Sequence, residues 1–330
     1  MARTVRKSGV KEVPLSEIKD DLSRRDFTIN ALAIRLTQPQ FGELVDLYGG
    51  RRDLKEKTIR VLHSLSFVED PTRVFRAIRF ELRFGFHLGK DECVLIKDAI
   101  QQDVFRRLSG HRFLSELIRL LCDERPSRVI ARLGELELLC FIHRSLKWSL
   151  RLDRLLQSVE RVLARYRRRH LGRPWSVRLD TWLVSFMALT DVMTARAVGE
   201  TLRRLKMPER QANKIRAGRV ASPGILRRLA KRPPPRPSEI YRVLAGLSEE
   251  TLLFLMAKTH SMAVTRAISA YLITYRHVKP SLTGTDLKAM GLKPGPIYKK
   301  ILGCLLDVRL NREISTKAEE RELVKQMAKI

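Results

Sequence analysis

The spacing of apolar and polar residues along this chain changes period between residue 62 and Asp70. Before that point the apolar positions fall in short extended runs. Ala31-Leu-Ala-Ile-Arg-Leu36, Gly42-Glu-Leu-Val-Asp46 and Thr58-Ile-Arg-Val-Leu62 predict strands, with Gly49-Gly50 as a turn between two of them. Leu15 to Arg25 predicts a short helix with Ser16 as its N-cap. Residues 1–62 therefore read as part of a mixed sheet domain. From Asp70 onward the period is helical. Asp70 can cap a helix, and Pro71 falls in the first turn, where proline is tolerated. Val74, Ile78 and Leu82 predict the buried stripe, and Arg73, Arg76, Arg79 and Arg83 a separate basic flank. Further helices are expected near 91–102, 110–122 and 127–137, and a second helical region from about 150 to 275. Arg232-Pro-Pro-Pro-Arg-Pro237 interrupts that region and predicts a surface crossing between helices. Residues 276–330 form a last part, in which Leu282 to Leu302 reads as helix, Gly-rich turn, helix. The class these patterns predict is α+β, a small α/β part followed by mostly helical parts.

Composition narrows the function. Of 330 residues 44% are apolar, which is a globular composition with enough chain for two or more domains. Lysine and arginine outnumber the acids 65 to 36, a net charge of +29. That excess argues against a small-metabolite enzyme and for a polyanionic partner, either nucleic acid or an anionic membrane surface. It is spread along the chain, so it belongs to folded surfaces more than to a basic arm. There is no signal-peptide core and no apolar run of about 18 residues, so no membrane span is expected and the localisation expected is cytoplasmic. Cys93, Cys122, Cys140 and Cys304 lie far apart and read as buried thiols in a reducing compartment. The histidines show no metal-ligand spacing, and His111 and His143 read as packed in apolar helical stretches. No catalytic nucleophile constellation is present.

Three polar blocks carry candidate chemistry. Asp70 and Arg73 stand three apart at a helix start and can face the same way. A carboxylate accepts from an exocyclic amine, and a guanidinium donates to a ring nitrogen or keto oxygen. Adenine and cytosine offer an amine beside an acceptor; guanine and uracil put a keto oxygen where Asp70 would meet it. The pair could thus select A and C over G and U without a template base; a plain cap with a solvated arginine is the alternative. Arg24, Arg25 and Asp26 suit a triphosphate and a ribose, or else form a charged helix end. Asp46 to Gly50 is an acidic turn with a Gly pair, in its simplest form a hairpin turn. The arginine flank, Arg76 and Arg79 included, favours phosphate or nucleic-acid contact. Arg165-Tyr-Arg-Arg-Arg-His170, with Arg167 and Arg168, adds a basic segment. Gly291-Leu-Lys-Pro-Gly-Pro296, with Lys293, Lys299 and Lys300, resembles a helix-hairpin-helix whose backbone amides and lysines meet a phosphate.

Taken in order, Arg-Arg-Asp-Phe-Thr-Ile-Asn-Ala-Leu-Ala, Val-Asp-Leu-Tyr-Gly-Gly-Arg-Arg-Asp-Leu and Glu-Asp-Pro-Thr-Arg-x-x-Arg-Ala-Ile-Arg-Phe resemble the bacterial tRNA nucleotidyltransferase and poly(A) polymerase family, class II. The likeness is specific through about residue 125, and the tail segment is similar as well. It implies an α/β head followed by helical neck, body and tail. On this chain the parts would be a partial head at 1–62, a neck with the nucleotide-binding motif at 63–148, a body at 149–275 and an RNA-binding tail at 276–330. The activity implied is template-independent transfer of CMP or AMP from CTP or ATP to a tRNA 3′ end, with Mg²⁺. Partners are then tRNA, ATP and CTP. The residues leave open whether C, A or both are added. The alternatives are a poly(A) polymerase, which the tail disfavours, and a non-catalytic RNA-binding fragment. By the same likeness Arg25, Asp26 and Asn30 belong to the block for the nucleotide's phosphates and sugar. Asp70 and Arg73 form the base-selecting template, and Glu69 orients it. The sequence also departs from the family. The Gly-Gly…Arg-Asp phosphate loop and the Asp-x-Asp metal pair would precede Met1, so the chain is expected to be the C-terminal portion of a longer enzyme or a truncated reading frame, without Mg²⁺ ligands of its own. Val5 follows Ala2-Arg3-Thr4 where Glu is usual, and His111-Arg112 stands where Glu-Arg is usual.

Overall fold

The computed structural model describes residues 15–169 and 179–328; Ala2 to Val5 and His170 lie outside them. The chain divides into two compact units, one made of residues 1–154 with 192–207, the other of 155–191 with 208–330.

The first unit opens with α1 (Leu15–Ser23), a 3-10 turn at Thr28–Asn30, β1 (Leu32–Ile34), β2 (Leu44–Asp46), α2 (Gly50–Glu56) and β3 (Thr58–Ile59). Ser16 lies inside α1 and not before it. The three expected strands are present but shorter. β1 and β2 pair antiparallel with Leu32 opposite Asp46. β3 pairs in parallel with β4 (His87–Leu88), a two-residue strand with no alternation long enough to read in sequence. Gly49-Gly50 is not a hairpin turn. Asp46 accepts from the backbone amides of Gly50 (2.8 Å) and Arg51 (3.0 Å), capping a helix where the sequence pattern suggested a reversal. Burial pushes the Asp46 carboxyl up, but the backbone amides of Arg51, Gly50, Gly49 and Tyr48 outweigh it and hold the group below its ordinary value.

Then follow α3 (Ser66–Glu69), α4 (Thr72–Phe84), α5 (Lys90–Gln101), α6 (Gly110–Leu121) and α7 (Pro126–Glu135), close to the expected helices. α4 buries Val74, Phe75, Ala77 and Ile78; Leu82 is only half-buried. Phe75 meets Phe105 and Phe113 edge-on at 5.9 and 5.1 Å, an arrangement worth about 0.5–1.5 kcal/mol per pair beyond burial. Arg132 of α7 grips Glu81 of α4 with Nε (2.7 Å) and Nη2 (2.9 Å). Burial opposes the Arg132 charge, but Glu81 and Glu135 raise its pKa above the ordinary value, so the fork stays charged.

Beyond α8 (Leu150–Arg169) and α9 (Thr181–Asp191), α10 (Ala195–Arg204) belongs to the first unit. Gly110 at the start of α6 is needed there, because a Cβ would lie 1.9 Å from the Arg204 carbonyl oxygen. His143 is not packed in a helix: Nδ1 meets Ser145 Oγ at 2.8 Å and Nε2 meets Glu200 at 3.1 Å. His111 is exposed on α6 because it falls on the polar side of the first turn. The cysteines are likewise not buried. Cys122 and Cys140 are exposed, Cys93 and Cys304 half-buried.

The second unit continues with α11 (Glu209–Leu229), α12 (Pro237–Leu244), α13 (Glu249–Lys258) and α14 (Met262–Ile273). α9 and α13 are apolar nearly all round and pack on each other as a central pair, as helices without a polar face must. Glu250 is buried there and paired with Lys214 at 2.9 Å. The proline cluster is the expected exposed crossing, between α11 and α12. The end of the chain forms α15 (Gly284–Ala289), α16 (Pro296–Leu310) and α17 (Lys317–Ala328) around Leu282, Leu287, Ile301, Leu305 and Val324. Buried Glu320 accepts from the backbone amides of Ser281 (2.9 Å) and Leu282 (2.7 Å), which ties α17 to the start of that part. Among the described residues no helix is long and apolar enough to cross a membrane.

Candidate functional site

Asp70 has extended backbone (φ −137°, ψ 92°) and Pro71 is already helical (φ −60°, ψ −16°), which is cap geometry for α4. Asp70 Oδ1 accepts from Thr72 N (3.1 Å) and Thr72 Oγ1 (2.7 Å). A third donor reaches the same oxygen, Arg112 Nη2 at 3.2 Å. Arg112 is placed by the first turn of α6, where its own amide donates to the Ser109 cap and the next residue, Phe113, packs against Phe75. Among the described residues Asp70 Oδ2 has no partner, and the side chain is one-third exposed.

Arg73 lies in the same turn, its amide bonded to the Asp70 carbonyl at 3.0 Å. Nη2 reaches the Arg24 carbonyl at 3.5 Å, while Nη1 is buried with no hydrogen-bond partner. One turn of helix thus offers an open carboxylate oxygen and an unused guanidinium N–H. A cytosine or adenine edge presents the matching amine and acceptor.

Asp26, Asn30 and Arg76 also come together. Asp26 is buried; Oδ1 accepts from Phe27 N (3.0 Å) and Asn30 Nδ2 (2.9 Å), and Oδ2 pairs with Arg76 Nη2 at 2.6 Å. Its carboxylate thereby joins the first block to α4. Behind it, Gly50 allows α2 to press on the 3-10 turn, since a Cβ would sit 2.2 Å from the Thr28 carbonyl oxygen. Thr28 Oγ1 donates to buried Asp53 at 2.6 Å. Arg25 instead pairs with exposed Asp21 at 2.8 Å, and that hydrogen bond holds the Asp21 carboxyl below its ordinary value. Glu69 faces His63 at 3.5 Å; the side chain that holds Asp70 is Arg112. In the sequence Arg112 stands out only beside a departure from the family pattern, at His111. Its Ser109 cap three residues earlier was the available signal that it opens a helix.

Arg79 is not part of this group and lines a separate cavity with residues of α6 and α7. In the second unit, Arg167 is half-buried and Arg168 exposed near the end of α8. Lys293, Lys299 and Lys300 are exposed around the start of α16. Tyr298 braces that turn, donating to the Leu292 carbonyl at 2.8 Å. Among the described residues no three His, Cys, Asp or Glu side chains converge to hold a metal. The buried carboxylates Asp26 and Asp53 are engaged by Arg76 and Thr28. These residues do not fit a metal site.

A small α/β part followed by a long helical remainder makes this an α+β protein. Comparison with known proteins agrees. The Poly A polymerase head domain family matches residues 2–60. The chain is 42% identical over 320 residues to the A-adding tRNA nucleotidyltransferase of Geobacter sulfurreducens, covering 96% of this chain and 36% of that protein. It superimposes on the Thermotoga maritima CCA-adding enzyme complexed with tRNA with a TM-score of 0.79 and 30% identity, covering 94% of this chain and 74% of that one. A CCA-adding enzyme in complex with CTP gives 0.78 and 31%, covering 96% and 73%. The chain belongs to the class II tRNA nucleotidyltransferase family. It spans about a third of the length of the Geobacter relative.

Proposed function

We propose that this chain supplies nucleotide selection and RNA binding to a tRNA 3′-end nucleotidyltransferase that transfers AMP, CMP or both from the triphosphates. The observation that carries the reading is the pair at the start of α4. Asp70 is held through Oδ1 by three donors while Oδ2 stays open, and Arg73 keeps a buried N–H with nothing to donate to. A base with an amine beside an acceptor satisfies both groups. One with a keto oxygen in the amine's place sets oxygen against the carboxylate and leaves a buried polar group unpaired, which costs about 1–3 kcal/mol. Arg112 acts on the base only through Asp70, as a positioning residue. Asp26, Asn30 and Arg76 fix the first block against α4, and Arg25 stands at its exposed edge for the phosphates. The part at 276–330, with Lys293, Lys299 and Lys300, and the basic end of α8, with Arg167 and Arg168, take RNA phosphates. Mg²⁺, which the resemblance implies, has no ligand set among the described residues. tRNA is favoured over poly(A) ends because the relatives that cover nearly the whole chain are named for tRNA. That substrate also favours a cytoplasmic setting.

The test is binding. A tRNA shortened at its 3′ end and a poly(A) oligonucleotide of equal length are titrated against the chain by fluorescence anisotropy. The tRNA should bind more tightly, with affinity falling steeply between 50 and 200 mM salt. Equal affinity for the two RNAs would overturn the substrate assignment.

A further inference from the structure

The four arginines of α4 do not share one task. Arg73 belongs to the proposed base-selecting pair and Arg76 is committed to Asp26. Arg79 and Arg83 lie six and ten residues beyond Arg73, roughly 9 and 15 Å along the helix axis. They open onto a cavity of about 390 Å³ closed by the end of α6 and the start of α7. Arg119, Arg125 and Arg128 complete its basic lining, so five guanidinium groups face two carboxylates, Asp123 and Glu124.

These arginines are poorly neutralised. Arg119 pairs with Glu116, but Arg79, Arg83, Arg125 and Arg128 have no carboxylate partner among the described residues. Asp123 spends one oxygen on the backbone amide of Arg125 at 2.9 Å. Arg79 and Arg83 lie beside the rings of Phe80 and Phe84, 5.7 and 5.6 Å from the centroids, which restrains them without supplying an anion. Burial lowers the Arg79 pKa from its ordinary value and the charges of Arg76, Arg119 and Arg83 lower it further, with Glu116 opposing. Mutual repulsion of guanidinium groups around a polar hollow is relieved by a multivalent oxyanion, which arginine forks bind bidentately.

We propose that this cavity is a second phosphate site, separate from the base-selecting pair, and that the phosphate it takes belongs to the sugar–phosphate backbone of the RNA. Assigning the phosphate to RNA rests on the transferase reading; the anion site itself does not. Two sources share the chemistry, a backbone diester and a free phosphate or nucleotide, and the experiment separates them.

The double variant Arg83→Gln/Arg128→Gln changes two exposed side chains that form no ion pair among the described residues, so the fold should survive; a wild-type circular dichroism spectrum checks that. Arg83→Lys/Arg128→Lys keeps the charge but removes the forks. Thermal melts are compared in sodium phosphate and in sodium chloride of equal ionic strength. With phosphate tenfold above its Kd, the wild-type chain should gain about 3–6 °C, and the Gln variant should lose much of that gain. Salt titration of shortened-tRNA binding should then show a log–log slope shallower by about 1 in the Gln variant, with affinity about tenfold lower at 50 mM salt. The Lys variant should restore the slope more than the phosphate-specific gain. An unchanged phosphate gain in the Gln variant overturns the site. A lost gain with an unchanged RNA slope overturns the RNA assignment and gives the site to a free phosphate. The phosphate melt contains no RNA and no nucleotide, so failure of the transferase reading leaves it intact and is read separately.

Discussion

Arg73→Ala is the sharpest probe of the proposed base-selecting pair. In the free protein the side chain makes one long contact, 3.5 Å to the Arg24 carbonyl, and leaves Nη1 without a partner. Removing it therefore takes little from the fold, about 0.5 kcal/mol or less, as for substitutions that break no network. The cap survives, because Asp70 keeps Thr72 and Arg112. What is lost is a charged donor to the base, worth about 1.5–3 kcal/mol, or roughly 10- to 150-fold in affinity. Calorimetric titration of the chain with ATP, CTP, GTP and UTP reads this directly. The wild-type chain should prefer ATP and CTP, and the variant should lose most of that preference by weakening for the two favoured nucleotides. Asp70→Ala is the comparator. It removes the acceptor and also the cap, at about 0.5–2 kcal/mol, and so should lower both discrimination and the melting temperature. If Arg73→Ala keeps the full preference for ATP and CTP at an unchanged melting temperature, the pair is structural and the selection argument fails.

Two further outcomes follow from contacts in the first unit. Gly50→Ala would put a Cβ 2.2 Å from the Thr28 carbonyl oxygen and 3.2 Å from Leu32 Cδ2, and should cost about 1–3 kcal/mol by overpacking, read as a lower melting temperature; a melt within 1 °C of wild type, about the limit of the measurement, would contradict the close approach. His143, then Arg196, hold the Glu200 carboxyl at about 2. A depressed folded pKa stabilises above the unfolded value of about 4.3 and is lost as pH falls toward 2, so acid melting from pH 5 to 2 should be shallower in Glu200→Gln than in wild type, and parallel curves would show that this carboxylate is not linked to folding.

Much of this protein is legible without coordinates because much of it is set locally. Capping and period fix α5, α6 and α7 to within two residues of the expected ranges, and extended Asp70 before helical Pro71 gives the start of α4. The three blocks that carry the family resemblance are also contiguous in sequence, so their order alone identifies the fold. Tertiary structure decided what each charged group is for. Arg112 meets Asp70 across 42 residues, a contact no periodicity records. Asp46 captures two amides and turns an apparent hairpin into a helix start. The α4 arginines look equivalent as a basic flank, yet one keeps a buried N–H without a partner, one is tied to Asp26 and two face a cavity. Helical spacing fixes the direction of a side chain about its own axis. What stands in that direction depends on packing partners far away in the chain, and a long guanidinium takes its role from whichever carboxylate, carbonyl or empty space the fold brings within its reach.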